Sequence, residues 1–135
     1  MLSYSNFGSD KKGSPEKVHQ AIESLHAHFP EIAIDGEMQV NFALDRKLRD
    51  ERYPFTKIKG KDVNALIFPN LSSANSAYKM LLEMGVGESI GPIQMGLNKP
   101  IHFTDVESST RDIFNLTVVA VVDAIVQEQL NNDNL

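Results

Sequence analysis

The chain has 135 residues, 41% hydrophobic and 23% charged, which is the range of one ordinary domain with a buried core and excludes a disordered chain. A net charge of −5, with no obviously basic face, argues against a nucleic-acid partner, because phosphate neutralisation needs clustered Lys and Arg. The lack of cysteine excludes disulfides and thiolate metal sites and fits a reducing compartment.

The N-terminus has no basic stretch followed by an apolar one, so no secretory signal is expected. The most apolar segment, Leu116 to Val126, holds 11 residues and includes Thr117 and Asp123. That reads as too short and too polar for a membrane span of roughly 20 residues. The expectation is a soluble, cytoplasmic chain with no membrane partner.

Leu2 to Ser5 reads as a short strand, followed by a Gly-, Ser- and Lys-rich loop to Gly13. Ser14-Pro15-Glu16 is a helix start, with Ser14 as cap and Pro15 at the first helical position. Val18, Ile22, Leu25 and Phe29 then recur at helical spacing until Pro30. Ile32 to Ile34 is a short strand ending at Asp35-Gly36-Glu37. Val40 to Arg52 is a second helix with Phe42, Ala43 and Leu48 on its apolar side. Asn64 to Phe68 is a continuous apolar run, as for a strand buried on both faces of a parallel sheet.

Ser72 to Met84 is a third helix, with Ala74, Ala77, Tyr78, Leu81 and Leu82 on one stripe and Gly85 at the C-terminal cap. Ile90 to Met95 and Ile101 to Thr104 are short strands. Ser109 and Asp112 resemble a capping box that opens a long last helix. Ile113, Leu116, Ala120, Val121, Ala124 and Ile125 form its apolar side. Residues 1–127 read as one domain and 128–135 as a polar tail that frays. Strands alternate with helices, the pattern of an α/β layered fold.

Three features could carry chemistry. A strand entering a helix near Ser72 presents free amides at the positive end of the helix dipole, which suits an anion. Ser73 and Asn75 could add hydrogen bonds, and Lys79 a point charge. A plain capped crossover helix fits the same pattern, and from the pattern alone it is favoured. Asp35 and Glu37 place two carboxylates around a glycine at a strand end, where α/β proteins build sites. They could serve acid–base or metal chemistry, or simply cap nearby amides. His19, His26 and His28 lie on one helix with no partners that complete a metal set, and His102 is ambiguous. No complete catalytic constellation is present.

Several ordered blocks carry a resemblance. They are Ser3-Tyr-Ser-Asn-Phe-Gly-Ser9, Ile34-Asp-Gly-Glu-Met-Gln39, Lys59-Gly60, Asn64-Ala-Leu-Ile-Phe-Pro-Asn-Leu71, Ala74-Asn-Ser-Ala-Tyr-Lys79, Ile90-Gly-Pro-Ile93 and Gly96-Leu-Asn-Lys-Pro100. From Leu2 to about Gln127 the chain resembles the C-terminal part of the phosphate acetyl/butyryltransferase family. The resemblance implies part of a three-layer α/β/α sandwich of the isocitrate/isopropylmalate-dehydrogenase type.

The family includes active transferases and the acetyltransferase-like C-terminal domain of NADP-dependent malic enzymes. Transferases usually carry a Ser-Arg pair after the Gly-Leu-Asn-Lys-Pro block. Here those positions are Asp105-Val106, which cannot stabilise a transferring acyl phosphate. The transferases' Ser-Thr-Lys-Gly-Ser is Ser5-Asn-Phe-Gly-Ser9 here, one cation fewer. Both departures resemble the malic-enzyme branch.

Asn75, Tyr78 and Lys79 match the part that faces coenzyme A, together with Ser73, and Asp112 matches a functional Asp of the transferases. Asp35, Glu37 and Asp105 would line the cleft. Glu83 replaces a common Arg and would pair with Lys79. The resemblance implies no catalytic residue and no cofactor in this chain. It implies acetyl-CoA as an effector, the rest of a malic enzyme polypeptide as partner, NADP and a divalent metal held by that remainder, and a homo-oligomer. The alternatives are an active phosphate acyltransferase and a stand-alone interaction module.

Overall fold

A computed structural model describes residues 1–133. Five helices follow in order: α1 (Ser14–His28), α2 (Val40–Leu44), α3 (Arg46–Arg52), α4 (Leu71–Glu83) and α5 (Thr110–Asp133). The chain falls into two compact units, Met1–Met80 and a second from Leu81 onward.

The first unit is built around Met1 to Ser3. Leu2 makes a parallel bridge with Met38, the only β pairing among the described residues. The Ser3 N–H donates to the Met38 carbonyl at 2.9 Å, and the Leu2 N–H donates to the Ile67 carbonyl at 2.8 Å. Met1 to Ser3 thus lies between two extended segments. The five strands expected from the sequence do not form ladders, because a strand is stable only with neighbours and even Met1 to Ser3 makes only two backbone bonds to Met38 and one to Ile67. Residues 32–34 curl locally, with the Ile34 N–H donating to the Ile32 carbonyl at 2.9 Å.

Leu2, Met38, Ala43 and Ile58 form the buried core, and Phe7, Phe42, Val63, Leu66 and Phe68 pack on it. Residues 64–68 were expected to be covered on both faces. Leu66 and Phe68 turn inward whereas Ala65 and Ile67 are exposed, so only one face is covered. Gly36 is required where the backbone crosses Met1, since its φ is +139° and a Cβ there would sit 2.5 Å from the Met1 carbonyl oxygen.

α1 begins at Ser14, the expected cap, one residue earlier than expected. Gly13 precedes it, Pro15 fills the first turn, and Val18 and Ile22 are buried. The second expected helix is two. Asp45, at ψ 95°, breaks the run and caps α3 by accepting the Leu48 N–H at 2.9 Å. α3 also buries a charged residue that its spacing does not mark as internal. Arg49 has no exposed surface and donates to the carbonyls of Ala43 (3.3 Å), Ile58 (3.2 Å) and Lys61 (2.6 Å).

In the second unit, Gly85 ends α4 as expected. At φ +64°, its N–H donates to the Leu82 carbonyl and the Val86 N–H donates to the Leu81 carbonyl, the paired bonds of a Schellman turn. α5 is helical through Asp133, so the polar tail expected to fray from residue 128 continues the helix; residues 134–135 lie outside the described residues.

α5 is also longer than its apolar segment. Thr110–Asn132 contains an 18-residue window of mean hydropathy 1.4 and is long and apolar enough by length and composition to cross a membrane, contrary to the expectation of too short and too polar. Its residues are apolar on all sides. Leu116 is buried, but Phe114, Val121, Val122, Ile125 and Leu130 are all at least half exposed.

Candidate functional site

Asp35 and Glu37 come together with structural partners. Both are buried. The Asp35 carboxylate accepts from the Thr56 hydroxyl at 2.6 Å, the Lys57 N–H at 2.7 Å and the Gly36 N–H at 3.0 Å. Three donors satisfy it, so it caps and anchors residues 56–57 and leaves little capacity for a metal or a proton transfer.

Glu37 has no exposed surface, and its Oε1 accepts from the Ser5 hydroxyl at 2.9 Å and the Gly8 N–H at 2.7 Å. Its backbone carbonyl accepts the Phe7 N–H at 2.7 Å. Ser5 in turn accepts the Asp10 N–H at 2.9 Å and contacts the Ser9 hydroxyl at 2.9 Å. Glu37 therefore shapes the whole Ser5–Asp10 loop, in which Phe7 takes the left-handed φ of +47° that non-glycine residues seldom adopt. The remaining oxygen, Oε2, faces His19 Nδ1 at 3.5 Å, and neither atom has a hydrogen bond. By sequence, His19 shares one helix with His26 and His28 and has no partner that completes a metal set. Its spacing on α1 gave no sign of this neighbour, which is close only in space.

Where the transferases carry Lys, Phe7 does something different. Its ring lies 4.8 Å from that of Tyr53 and 5.1 Å from that of Phe55. Phe42 extends the group, 5.1 Å from Tyr53.

The turn into α4 is capped by its own side chain. The Ser73 N–H donates to Asn70 Oδ1 at 2.9 Å and the Ser73 hydroxyl donates to the Asn70 carbonyl at 3.0 Å. Asn70 is the cap, and it already occupies one of the amides expected to face an anion. Asn75, Tyr78 and Lys79 are exposed on the same helix. Lys79 Nζ lies 5.6 Å from the centre of the Tyr78 ring. Among the described residues, no ion pair joins Lys79 to Glu83, the partner expected for it.

Asp105 and Asp112 belong to the second unit. Asp105 is held in an exposed turn: its Oδ1 accepts the Val106 N–H at 2.7 Å, and its own N–H donates to the Ser108 hydroxyl at 2.9 Å. Asp112 closes the expected capping box. Its Oδ2 accepts from the Ser109 hydroxyl at 2.6 Å and the Ser109 N–H at 2.9 Å, and its own N–H donates to the Ser109 hydroxyl at 3.2 Å. The Ser109 hydrogen bonds lower the Asp112 pKa below the usual carboxylate value. The His102 side chain is almost buried and lies 3.7 Å from Asp123. Among the described residues, no three His, Cys, Asp or Glu side chains converge to hold a metal.

With this geometry, comparison with known proteins is direct. A sequence profile for Phosphate acetyl/butaryl transferase matches residues 1–121, and the chain belongs to that family. It is 39% identical over 128 residues to the NADP-dependent malic enzyme of Escherichia coli (strain K12), covering 94% of this chain and 17% of that enzyme. It is 34% identical over 125 residues to the phosphate acetyltransferase of Bacillus subtilis (strain 168), covering 93% and 38%. The crystal structure of a phosphotransacetylase from Streptococcus pyogenes superimposes with a TM-score of 0.84 at 35% identity, covering 93% of this chain and 38% of that one. The chain thus has a phosphotransacetylase-like fold and spans well under half the length of the relatives it matches.

Proposed function

We propose that the chain is the non-catalytic, acyl-CoA-binding and subunit-assembling part of an NADP-dependent malic enzyme. The observation that carries the reading is Asp105-Val106. In the resemblance these stand where transferases hold Ser-Arg, and here the acid is tied into an exposed turn with Ser108 while Val106 is fully exposed. A carboxylate at that position repels phosphate and acyl phosphate alike, and an isopropyl group donates no hydrogen bond. Acyl transfer is thereby removed while a binding surface on α4 remains.

In this reading Ser73, Asn75, Tyr78 and Lys79 face the effector. Lys79 supplies the charge for a nucleotide phosphate and Tyr78 a ring edge. The fold completes to a three-layer α/β/α sandwich when the rest of the polypeptide adds strands. The one-sided burial of residues 64–68 supports that completion, because Ala65 and Ile67 then gain a covering layer. Exposed apolar residues of α5 support assembly with further chain or with a second copy. The parent enzyme converts malate to pyruvate and CO2 in the cytoplasm with NADP and a divalent metal, both held by the rest of the polypeptide.

The test is calorimetry and thermal shift with acetyl-CoA. Ligand at 100 times its Kd should add about 2.7 kcal/mol of stability, and Lys79→Ala should remove most of that. No heat and no shift at millimolar ligand would overturn the effector role. The matches to phosphate acetyltransferases keep one second reading open, an active phosphate acyltransferase. Release of thiol from acetyl-CoA and phosphate, abolished by Asp112→Ala, would establish that reading instead.

A further inference from the structure

The chain is acidic overall, yet seven of its 13 cations fall between Arg46 and Lys61 against two of its 18 acids. Within this stretch, Arg52-Tyr-Pro-Phe-Thr-Lys-Ile-Lys-Gly-Lys61 holds four cations and no acid. Arg52, Lys57, Lys59 and Lys61 are all exposed. Arg46 is paired with Asp62 and Arg49 is buried on carbonyls and Asp50, but among the described residues no carboxylate pairs with those four. Phe55 lies between Arg52 and Lys57 in the sequence, with 67% of its surface exposed.

The loop has no regular structure but is tightly held. Buried Arg49 binds the carbonyls of Ile58 and Lys61, the Asp35 carboxylate binds Thr56 and the Lys57 N–H, and Asp50 Oδ2 accepts the Gly60 N–H at 2.7 Å. Phe55 is braced from behind by Phe7, in a T-shaped contact at 5.1 Å, and by Tyr53 at 5.9 Å. The backbone is fixed by buried charges while an aromatic ring and four ammonium or guanidinium groups are left free. Such pre-organisation lowers the ordering cost of binding.

We propose that the Arg52–Lys61 loop is a nucleotide-binding surface, with the base stacked on Phe55 and phosphates taken by Arg52, Lys57 and Lys59. An exposed aromatic among unpaired cations fits a planar ring joined to phosphates, because stacking and charge then act on one ligand. Residues outside 46–61 carry 16 acids against six cations. They repel a long polyanion such as RNA, so a small nucleotide fits where a nucleic acid does not. The adenosine 3′,5′-bisphosphate part of a coenzyme A thioester and a free nucleoside diphosphate share this chemistry. The inference stands apart from the proposed α4 effector surface, which uses different residues.

The test is calorimetric titration of the 135-residue chain with adenosine 3′,5′-bisphosphate, ADP and inorganic pyrophosphate at low salt, with chain folding checked by circular dichroism. The two nucleotides should bind and pyrophosphate should bind more weakly. Phe55→Ala should weaken nucleotide binding at least about fivefold, the scale of one stacked base, and leave pyrophosphate unchanged. Lys57→Ala/Lys59→Ala should weaken all three ligands and flatten their salt dependence. Tighter binding of the bisphosphate than of ADP identifies a coenzyme A-type source, and equal binding a free nucleotide.

No binding, or binding insensitive to Phe55→Ala and Lys57→Ala/Lys59→Ala, would overturn the proposal. Acetyl-CoA binding that is lost in Lys79→Ala, with no nucleotide binding lost in the loop variants, would do so too while leaving the effector reading intact. Nucleotide binding through the loop without acetyl-CoA binding would do the reverse.

Discussion

The two units treat charge and apolar surface in opposite ways. In the first, charged side chains are buried and used as fasteners. Arg49 gathers three carbonyls, Asp35 three donors and Glu37 two, and each replaces a stretch of secondary structure that the unit lacks. In the second, charged groups sit at the surface in caps and turns, and the long helix shows apolar side chains to solvent with Leu116 alone among its large residues buried. The first unit has the internal bonding of a piece that holds its own shape. The second has the surface of a piece made to be covered.

The sharpest way to break this contrast is to remove a fastener. Arg49→Ala leaves the carbonyls of Ala43, Ile58 and Lys61 without their donor, and losing one partner of a buried charged network costs about 3–5 kcal/mol. Chemical denaturation should therefore show a large loss of stability, with proteolysis starting in residues 56–61. A loss below about 1 kcal/mol would mean that the guanidinium is not holding the loop.

Glu37→Ala should come next. It strands the Ser5 hydroxyl and the Gly8 N–H at about 1–3 kcal/mol for each buried group left unpaired. Glu37→Gln keeps an accepting oxygen for those donors and should be milder. Equal losses in the two variants would show that the charge, and not the accepting geometry, shapes the Ser5–Asp10 loop.

What the sequence revealed follows the same division between local and distant causes. Pro15, Asn70, Gly85 and the Ser109–Asp112 box act within four residues, and three of the four were legible as helix boundaries. Asn70 was not singled out as a cap because the expected helix began at Ser72, one residue later than α4 does. The break at Asp45 was hidden because the apolar spacing runs on through it. Strands need neighbours, so five apolar segments read as strands from composition could not become a sheet with so few partners. Burial of Arg49 and the approach of His19 to Glu37 depend on contacts between residues far apart in the chain, which no spacing rule sees. On α4, Ser73, Asn75 and Lys79 were singled out by the strand-to-helix pattern, and Tyr78 by the resemblance alone. The basic loop was visible in the sequence all along but masked by the net charge, which averages it against an acidic remainder.

In the second unit the expected effects are smaller and local. Gly85→Ala forces a Cβ into the left-handed region and should cost about 1–2 kcal/mol, read as earlier melting of α4 by circular dichroism. A shift no larger than that of an exposed surface substitution would mean that the Schellman turn does not stabilise the end of α4.

The smallest effect is a pH dependence at the start of α5. The Ser109 hydroxyl and amide hold the ionised form of Asp112, so its pKa in the folded chain lies below the 3.8 of a free side chain. A depressed carboxylate stabilises the fold fully above its unfolded pKa and loses that contribution as pH falls through the folded value. Helix content at the N-terminus of α5 should hold from neutral pH to about 4 and decline only below it. Asp112→Asn should flatten this acid limb, lowering helix content slightly at neutral pH and making it insensitive to acid. Because Asp112 is fully exposed, added salt should weaken the wild-type effect. An acid limb that survives in Asp112→Asn would move its origin to another carboxylate and leave the capping box as geometry without an electrostatic role.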